Sequence, residues 1–543
     1  MVAALAPLAH PSAAQAAGNP TYRYTKTFDT TNGGAGGDDV ATDSNGNVYI
    51  AGFFSGTVIF DGVGGSDSRT DTGGNGDSFV TKYSSNGSYA WTRTFDATAG
   101  SATDNGITTD SSGNIYVVGT FTGTVIFDGV GGSDTQTDAG GSQDSYLTKY
   151  NSNGSYGWTK TFDTTGGYAN SNALATDNAG NVYFTGSFGS TVVFDGAGGS
   201  DSQTNTSIDP DSYLTKYNAN GSYGWTKTFD TSSGGATGLG VATDSSGNPY
   251  VTGNFTDTVV FDGVGGTDSQ TVGSNSDLFL TKYSPSGSYV YTKTFDTVSG
   301  GASLSVGGIA IDSNNNAYVT GHFTATVTFD GVGGSDTQSD TGNNQNSFLT
   351  RFNADGTYGW TRTFDTTNGS AYAYNVAADN SGNIYIDGVF QNTVIFDGIG
   401  GSDSRDGSTG SSYLTGYSAS GVYEWTKNFQ TPAGGDNASV ATDNSGNVYA
   451  TGVFYGTVTF DGAGGNDSRT DGGGGGDGFL LSYSTGISSP PVVTPTPPGA
   501  PNTGIGLASV GYRDSLGLSL LAGGLLIVSI IWYRKQTSGI KNH

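Results

Sequence analysis

The chain has 543 residues, 92 of them glycine, with 12% aromatic and only 12% charged residues. This is the balance of an all-β protein full of tight turns, not of a helical one. A net charge of −27 excludes a nucleic-acid binder, whose partner's phosphates call for Lys and Arg, and the lack of cysteine excludes disulfides and thiolate metal sites.

Residues 1–17 read as a leader. Ala3 to Ala9 is a short apolar stretch, and Ala14-Gln15-Ala16 is a small-x-small cleavage pattern. The basic segment that opens a signal peptide is missing, so the stretch reads as the tail of one whose start lies upstream, or as an Ala-rich leader.

Residues 18–485 repeat. The phrase FDGxGGxD begins at Phe60, Phe127, Phe194, Phe261, Phe329, Phe396 and Phe460. Self-similarity at a fixed period decides an architecture before any local reading. Within a unit, runs such as Asn114-Ile115-Tyr116-Val117-Val118 and Ser145-Tyr146-Leu147-Thr148-Lys149-Tyr150 alternate with turn phrases, SSGN at Ser111 and NSNG at Asn151. They predict four antiparallel strands per unit, with the TVIFDG stretch adding a short strand or extending the second. Tyr22 to Phe28 matches the fourth strand of a unit, whereas Gly478 to Tyr483 is a third strand without its partner. The expected fold is an all-β, seven-bladed β-propeller, closed by pairing of the N-terminal strand into the last blade.

These phrases (xDxxGNxYVxG, then DxFVxKY, then GxxxW) resemble the bacterial SBBP-type β-propeller repeat. The resemblance implies the propeller fold and an exported setting, and it implies no particular ligand or reaction.

Trp91, Trp158, Trp225, Trp360 and Trp425 mark the fourth strand, with Tyr24 and Tyr291 in the same slot, as expected of packing between blades. Asp43-Ser44-Asn45-Gly46-Asn47 has the spacing of a calcium loop, but Ala179 removes the middle donor in the third unit and no bidentate Glu follows, so it reads as a turn. The DGxGGxD phrase keeps both carboxylates in every unit: Asp61 and Asp67, Asp128 and Asp134, Asp195 and Asp201, Asp262 and Asp268, Asp330 and Asp336, Asp397 and Asp403, Asp461 and Asp467. They are the calcium candidates, and calcium is the one cofactor considered; the same residues are also what any sharp turn uses.

No catalytic constellation is visible. His322 sits alone in a strand phrase, Glu424 is the single glutamate, and no unit breaks the repeat with clustered Asp, Tyr, Arg or His. The expectation is that the chain is not an enzyme. Turns inside the first and last hairpins of each unit should share one rim, and the longer, variable loops the other, where recognition usually sits.

After the repeats come a Pro/Thr-rich stalk at 486–499, the motif Ala500-Pro501-Asn502-Thr503-Gly504, an uncharged apolar run at 515–533 and a basic tail at 534–543. As a helix the run spans roughly 28 Å, enough for a bilayer, and the basic tail places the repeats outside. The order resembles a Gram-positive-type sortase sorting signal, LPxTG then span then basic tail, with Ala500 where the pattern has Leu. That resemblance implies cleavage between Thr503 and Gly504 and joining of Thr503 to a cell-wall amine; the other reading is a plain transmembrane anchor. The expected function is a binding or adhesion propeller displayed at the bacterial cell surface. Its expected partners are sortase and cell wall through the C-terminus, membrane through 515–533, and an extracellular protein or glycan, with no nucleic acid. The alternatives are a secreted propeller hydrolase or lyase acting on extracellular polymer, and a structural wall spacer.

Overall fold

A computed structural model describes residues 19–485, apart from short loop stretches at 299–304, 341–344 and 431–434 and a few isolated loop positions. The chain divides into Met1–Ser509 and Val510–His543. The leader at 1–17, the stalk, the 500–504 motif, the 515–533 span and the basic tail lie outside the described residues. Among the described residues every element is a strand, and no helix is long and apolar enough to cross a membrane.

Each unit is a four-stranded antiparallel sheet of a propeller-like repeat. In the first unit Ala35–Thr42 pairs with Val48–Phe54, which pairs with Asp77–Tyr83, which pairs with the start of Tyr89–Thr109. Alternating apolar residues explain the strands, and tight turns explain the pairing. In the Asp43 turn, Oδ1 accepts the amides of Asn45 and Asn47 at 2.9 Å each, Oδ2 accepts the Tyr49 hydroxyl at 3.0 Å, and Gly46 adopts φ 75°. The fifth unit puts Asn315 at φ 63° in the same place, as a side chain that tolerates the left-handed region can. These carboxylates are turn braces.

The N-terminal strand Thr21–Asn32 pairs with the last third strand, Asp477–Ser484, in the register Thr21↔Ser484 to Phe28↔Gly478. First strands of successive units lie side by side, and the first and last of them also touch. Thr42 Oγ1 donates to Thr442 O at 2.7 Å, as Thr109 does to Thr42 and Thr176 does to Thr109.

The TVIFDG stretch does both of the things expected of it. It continues the second strand in Ile115–Ile126, Val182–Val193, Pro249–Val260 and Ile384–Ile395, and it forms separate strands at Thr57–Ile59, Thr326–Thr328 and Thr457–Thr459. Two things were not expected. A further short strand, such as Ser68–Thr70, folds back on it as a hairpin whose tip is DGxGGxD. The hairpin then pairs with the end of the preceding unit's fourth strand, Asp29↔Ile59 and Asp96↔Ile126 for example, so neighbouring sheets are joined edge to edge.

Between the sheets lies a layer of aromatic rings. Phe60 and Phe79 are 4.6 Å apart and both fully buried, and the Tyr83 hydroxyl donates to Phe60 O at 2.6 Å. Tyr150, Tyr217 and Tyr483 repeat that bond to Phe127, Phe194 and Phe460. A ring with one polar tip can thus fill the core and still satisfy its hydroxyl.

A bulge in every innermost strand forms the candidate functional site

The two rims separate as expected. Arg93 Nε donates to Gly154 O at 2.9 Å and Ala219 N to Asn181 Oδ1 at 3.2 Å, which ties the short, repeated turns together on one side. The longer loops meet on the other, where Ser55 N donates to Gly34 O at 2.8 Å.

Near the start of every first strand the register slips by one residue, between Gly37 and Asp39, Asp104 and Gly106, Ser171 and Ala173, Gly238 and Gly240, Val306 and Gly308, Ala373 and Asn375, and Asn437 and Ser439. The bulged residues are Asp38, Asn105, Asn172, Leu239, Gly307, Tyr374 and Ala438. A bulge leaves its residue without a cross-strand partner and re-aims its side chain. Here two point sideways to the next unit: Asn105 Nδ2 donates to Ser171 O and Asn172 Nδ2 to Gly238 O, each at 2.8 Å.

Beside the bulges runs a polar chain built from four units. Asn375 Nδ2 donates to Ser439 Oγ at 2.9 Å, and Ser439 Oγ donates to Asp39 Oδ1 at 2.6 Å. Asp39 also accepts its neighbour Val40 N at 2.8 Å and, through Oδ2, Ile107 N at 2.8 Å. Opposite Asn375 stands Asp387, fully buried, with neither carboxylate oxygen hydrogen-bonded to a side chain. Burial, and then the charge of Asp39, pushes its carboxyl well above the usual range. Burial likewise raises Asp104, whose Oδ1 accepts the Tyr146 hydroxyl. His322 lies with its ring 4.8 Å from that of Tyr372, and burial lowers it to about 4, so the imidazole is neutral at physiological pH.

The calcium candidates are placed differently from these groups. In each hairpin the first Asp holds the loop's own backbone: Asp61 Oδ2 accepts Ser66 N at 2.8 Å and Oδ1 accepts Asp67 N at 2.9 Å. The same pair of bonds recurs at Asp128, Asp195, Asp262, Asp330, Asp397 and Asp461. The second Asp accepts a tyrosine hydroxyl, Tyr89 on Asp67 and Tyr156 on Asp134, and takes an Arg or Gln partner, such as Arg69 at 2.6 Å or Gln136 at 2.5 Å. Among the described residues no group of three His, Asp or Glu side chains is placed to hold a metal ion.

The family model of the SBBP β-propeller repeat matches residues 91–124 and 299–322. These two stretches match a β-propeller repeat, and the units as a whole are all-β and propeller-like. An uncharacterized WD repeat-containing protein of Acanthamoeba polyphaga mimivirus is 28% identical over 190 residues, which is 31% of this chain and 13% of that protein's length. Among solved structures, an ulvan lyase of a polysaccharide lyase family is 11% identical over 80% of this chain and 93% of its own, with a TM-score of 0.39. Polysaccharide lyase Uly1 is 12% identical over 83% and 90%, with a TM-score of 0.37. The intramolecular trans-sialidase of Ruminococcus gnavus is 10% identical over 85% and 94%, with a TM-score of 0.33.

The expectation that this repeat protein is not an enzyme is withdrawn. Enzymes stand among the similar structures, and the reasoning behind the expectation fails on its own ground. It rested on seeing no unit that breaks the repeat. Two units do break it: Asp387 stands where other units have Ala51, Val118, Thr185, Thr252, Thr320 and Thr451, and Asp104 where they have Gly37, Ser171, Gly238, Val306, Ala373 and Asn437. Through Asn375, Ser439, Asp39 and Ile107, residues of four units meet beside them at the innermost strands.

Proposed function

We propose that this chain is an exported, envelope-held β-propeller that works on extracellular polysaccharide at the variable rim. The ring of bulged first-strand residues is its recognition floor. The observation that carries this reading is a bulge at one equivalent position in all seven units with six different residue types on it. A scaffold constraint would repeat the residue along with the bulge. Asp38, Asn105, Asn172 and Tyr374 supply the carboxylate, amide and phenol groups that hydrogen-bond sugar hydroxyls. Next to them stand Asp104 and Asp387, two buried carboxyls that burial pushes well above the usual carboxylate range, the direction that suits a general acid.

The scaffold of this reading is a closed seven-bladed ring. The register Thr21↔Ser484 and the bonds from Thr442 to Thr42 and from Ser439 to Asp39 support it. The anchor of the reading is the 486–543 region: stalk, sorting motif Ala500 to Gly504 cut by a sortase or kept as a membrane anchor, span at 515–533, and tail.

The test is to incubate the full chain with polygalacturonate and with a soluble β-glucan and to follow new reducing ends. Release from one polymer is expected. The triple variant Asn105→Ala, Asn172→Ala, Tyr374→Ala should lower the rate at least about tenfold, the worth of one or two hydrogen bonds, with the β-sheet circular dichroism kept and melting lowered by the lost bonds to Ser171 O and Gly238 O. No release from either polymer, or a triple variant as active as the parent, rejects the reading.

A further inference from the structure

In most units the fourth-strand aromatic is capped by its neighbour. The glycine of the next unit's third-to-fourth-strand turn lies against the ring: Gly154 on Trp91, Gly221 on Trp158, Gly287 on Trp225, Gly356 on Tyr291 and Gly421 on Trp360. Among the described residues the sixth unit has no such cap. Its neighbour's third and fourth strands, Asp477–Ser484 and Thr21–Asn32, are separate pieces of chain with no turn between them. A cavity of 420 Å³ opens there, on the outer side of the sixth sheet, lined by Asn19, Asp403, Arg405, Tyr423, Glu424 and Trp425 among others. That volume falls within the ~300–1,000 Å³ of small-ligand sites.

Two departures from the repeat reshape this cavity. The residue before the aromatic is Arg23, Ala90, Gly157, Gly224, Val290 or Gly359 elsewhere, and here it is Glu424, the one glutamate of the chain. The residue across the strand pair from the aromatic is Lys82, Lys149, Lys216, Lys282 or Arg351 in five units, and here it is Gly416. A Cβ on Gly416 would stand 2.7 Å from the Trp425 ring, so only glycine lets the indole fold down over it. Trp425 is 4% exposed, where its counterparts are half-buried. Three buried polar atoms of the lining have no hydrogen-bond partner in the protein: Arg405 Nε, Glu424 Oε2 and Trp425 Nε1. Arg69 Nε, Arg469 Nε and Trp360 Nε1 are unpaired in the same way in other units, so Glu424 Oε2 is the unpaired atom peculiar to this one. Tyr423 and the remaining reach of Arg405 are already taken, both bonded to Asp403, with Arg405 at 2.5 Å.

The geometry points to a second binding site, in the uncapped cavity at Glu424 and Trp425, for one unit of a neutral sugar. Asn19, Arg405 and Glu424 on the lining bring donors and acceptors that match vicinal hydroxyls, each of which donates and accepts. Glu424 and Asp403, on a chain of net charge −27, exclude an anionic sugar. The site is on the sheet's outer edge, apart from the bulged first strands, and stands or falls separately from them.

The probes are cellotriose and triacetylchitotriose, with trigalacturonate as the anionic counterpart, titrated into the full chain by calorimetry. At least one neutral trisaccharide should bind and trigalacturonate should not. Glu424→Gly, the residue that three other units carry, and Arg405→Gln, as in Gln136, should each weaken binding about tenfold or more, one lost hydrogen bond to a charged group. Both fold in other units, and unchanged melting confirms it here. Asn105→Ala should leave this binding intact, which separates the site from the rim. Binding of neither neutral sugar, equal binding by Glu424→Gly, or equal binding of trigalacturonate overturns the inference.

Discussion

At the start of the third strand one buried residue, Asp77, Asp144, Asp211, Asp277 or Asn346, accepts a backbone amide from the end of the fourth: Ala97, Thr164, Thr231, Thr297 and Thr366, at 2.8–3.0 Å. Burial pushes Asp77 up to about 7 and Asp144, Asp211 and Asp277 up to about 6. Unfolded, each titrates near the ordinary ~3.9. Between about pH 4 and pH 7 the folded chain therefore holds more protons than the unfolded one, and stability falls as pH rises through that window. His322, lowered to about 4, has the opposite sign, as do the lowered DGxGGxD carboxylates such as Asp61, whose effect is largely complete above about pH 5, while the raised Asp104 and Asp387 add to the fall. Melting temperature should decline from about pH 4 to pH 7. The quadruple variant Asp77→Asn, Asp144→Asn, Asp211→Asn, Asp277→Asn should make the decline shallower, because Asn346 already makes the same bond without a charge. A flat or rising parent curve by scanning calorimetry would contradict this assignment.

At the scale of the element, what the sequence makes readable follows from what repeats. The strands and turns are plain because Tyr, Phe and Val recur at period two between Gly and Asn turn residues. The Ser68–Thr70 strand is three exposed or half-exposed polar-leaning residues and carries no such signal. The bulges are silent for a different reason: an inserted residue with no cross-strand partner leaves the alternation on either side intact, and only its variability from unit to unit betrays it. The axial polar chain is illegible in sequence because Asp39 and Ser439 are 400 residues apart. The DGxGGxD carboxylates carry two readings in one spacing, since what suits a cation also suits a loop that hydrogen-bonds to itself. Removing Asp128 by Asp128→Ala frees the amides of Ser133 and Asp134 and should cost about 1–2 kcal/mol. Urea unfolding reads that loss, and it should be the same with calcium as with a chelator. A loss that appears only when calcium is present would favour the cation reading.

At the scale of the whole molecule, the proposed ring makes the position of the chain ends arbitrary. Tyr22 pairs with Tyr483 in unit seven as Tyr89 pairs with Tyr83 in unit one, where five residues, Ser84 to Ser88, complete the turn. A permuted chain can copy that turn between Tyr483 and Tyr22 and open new ends between Tyr150 and Tyr156. Pairing of the N-terminal strand then no longer has to close a loop spanning the whole domain, so part of the loop-closure entropy is recovered. The permutant should keep the parent's β-sheet circular dichroism and melt at or above the parent temperature. It should also exchange the two seams: the copied turn brings a glycine onto Trp425, as Gly154 lies on Trp91, and the opened turn uncovers Trp91. Neutral-sugar binding at Glu424 should then be lost while the rim's activity on polymer survives. If the strands at residues 21 and 484 were not partners in a ring, the permutant would have no hairpin to complete and would melt well below the parent.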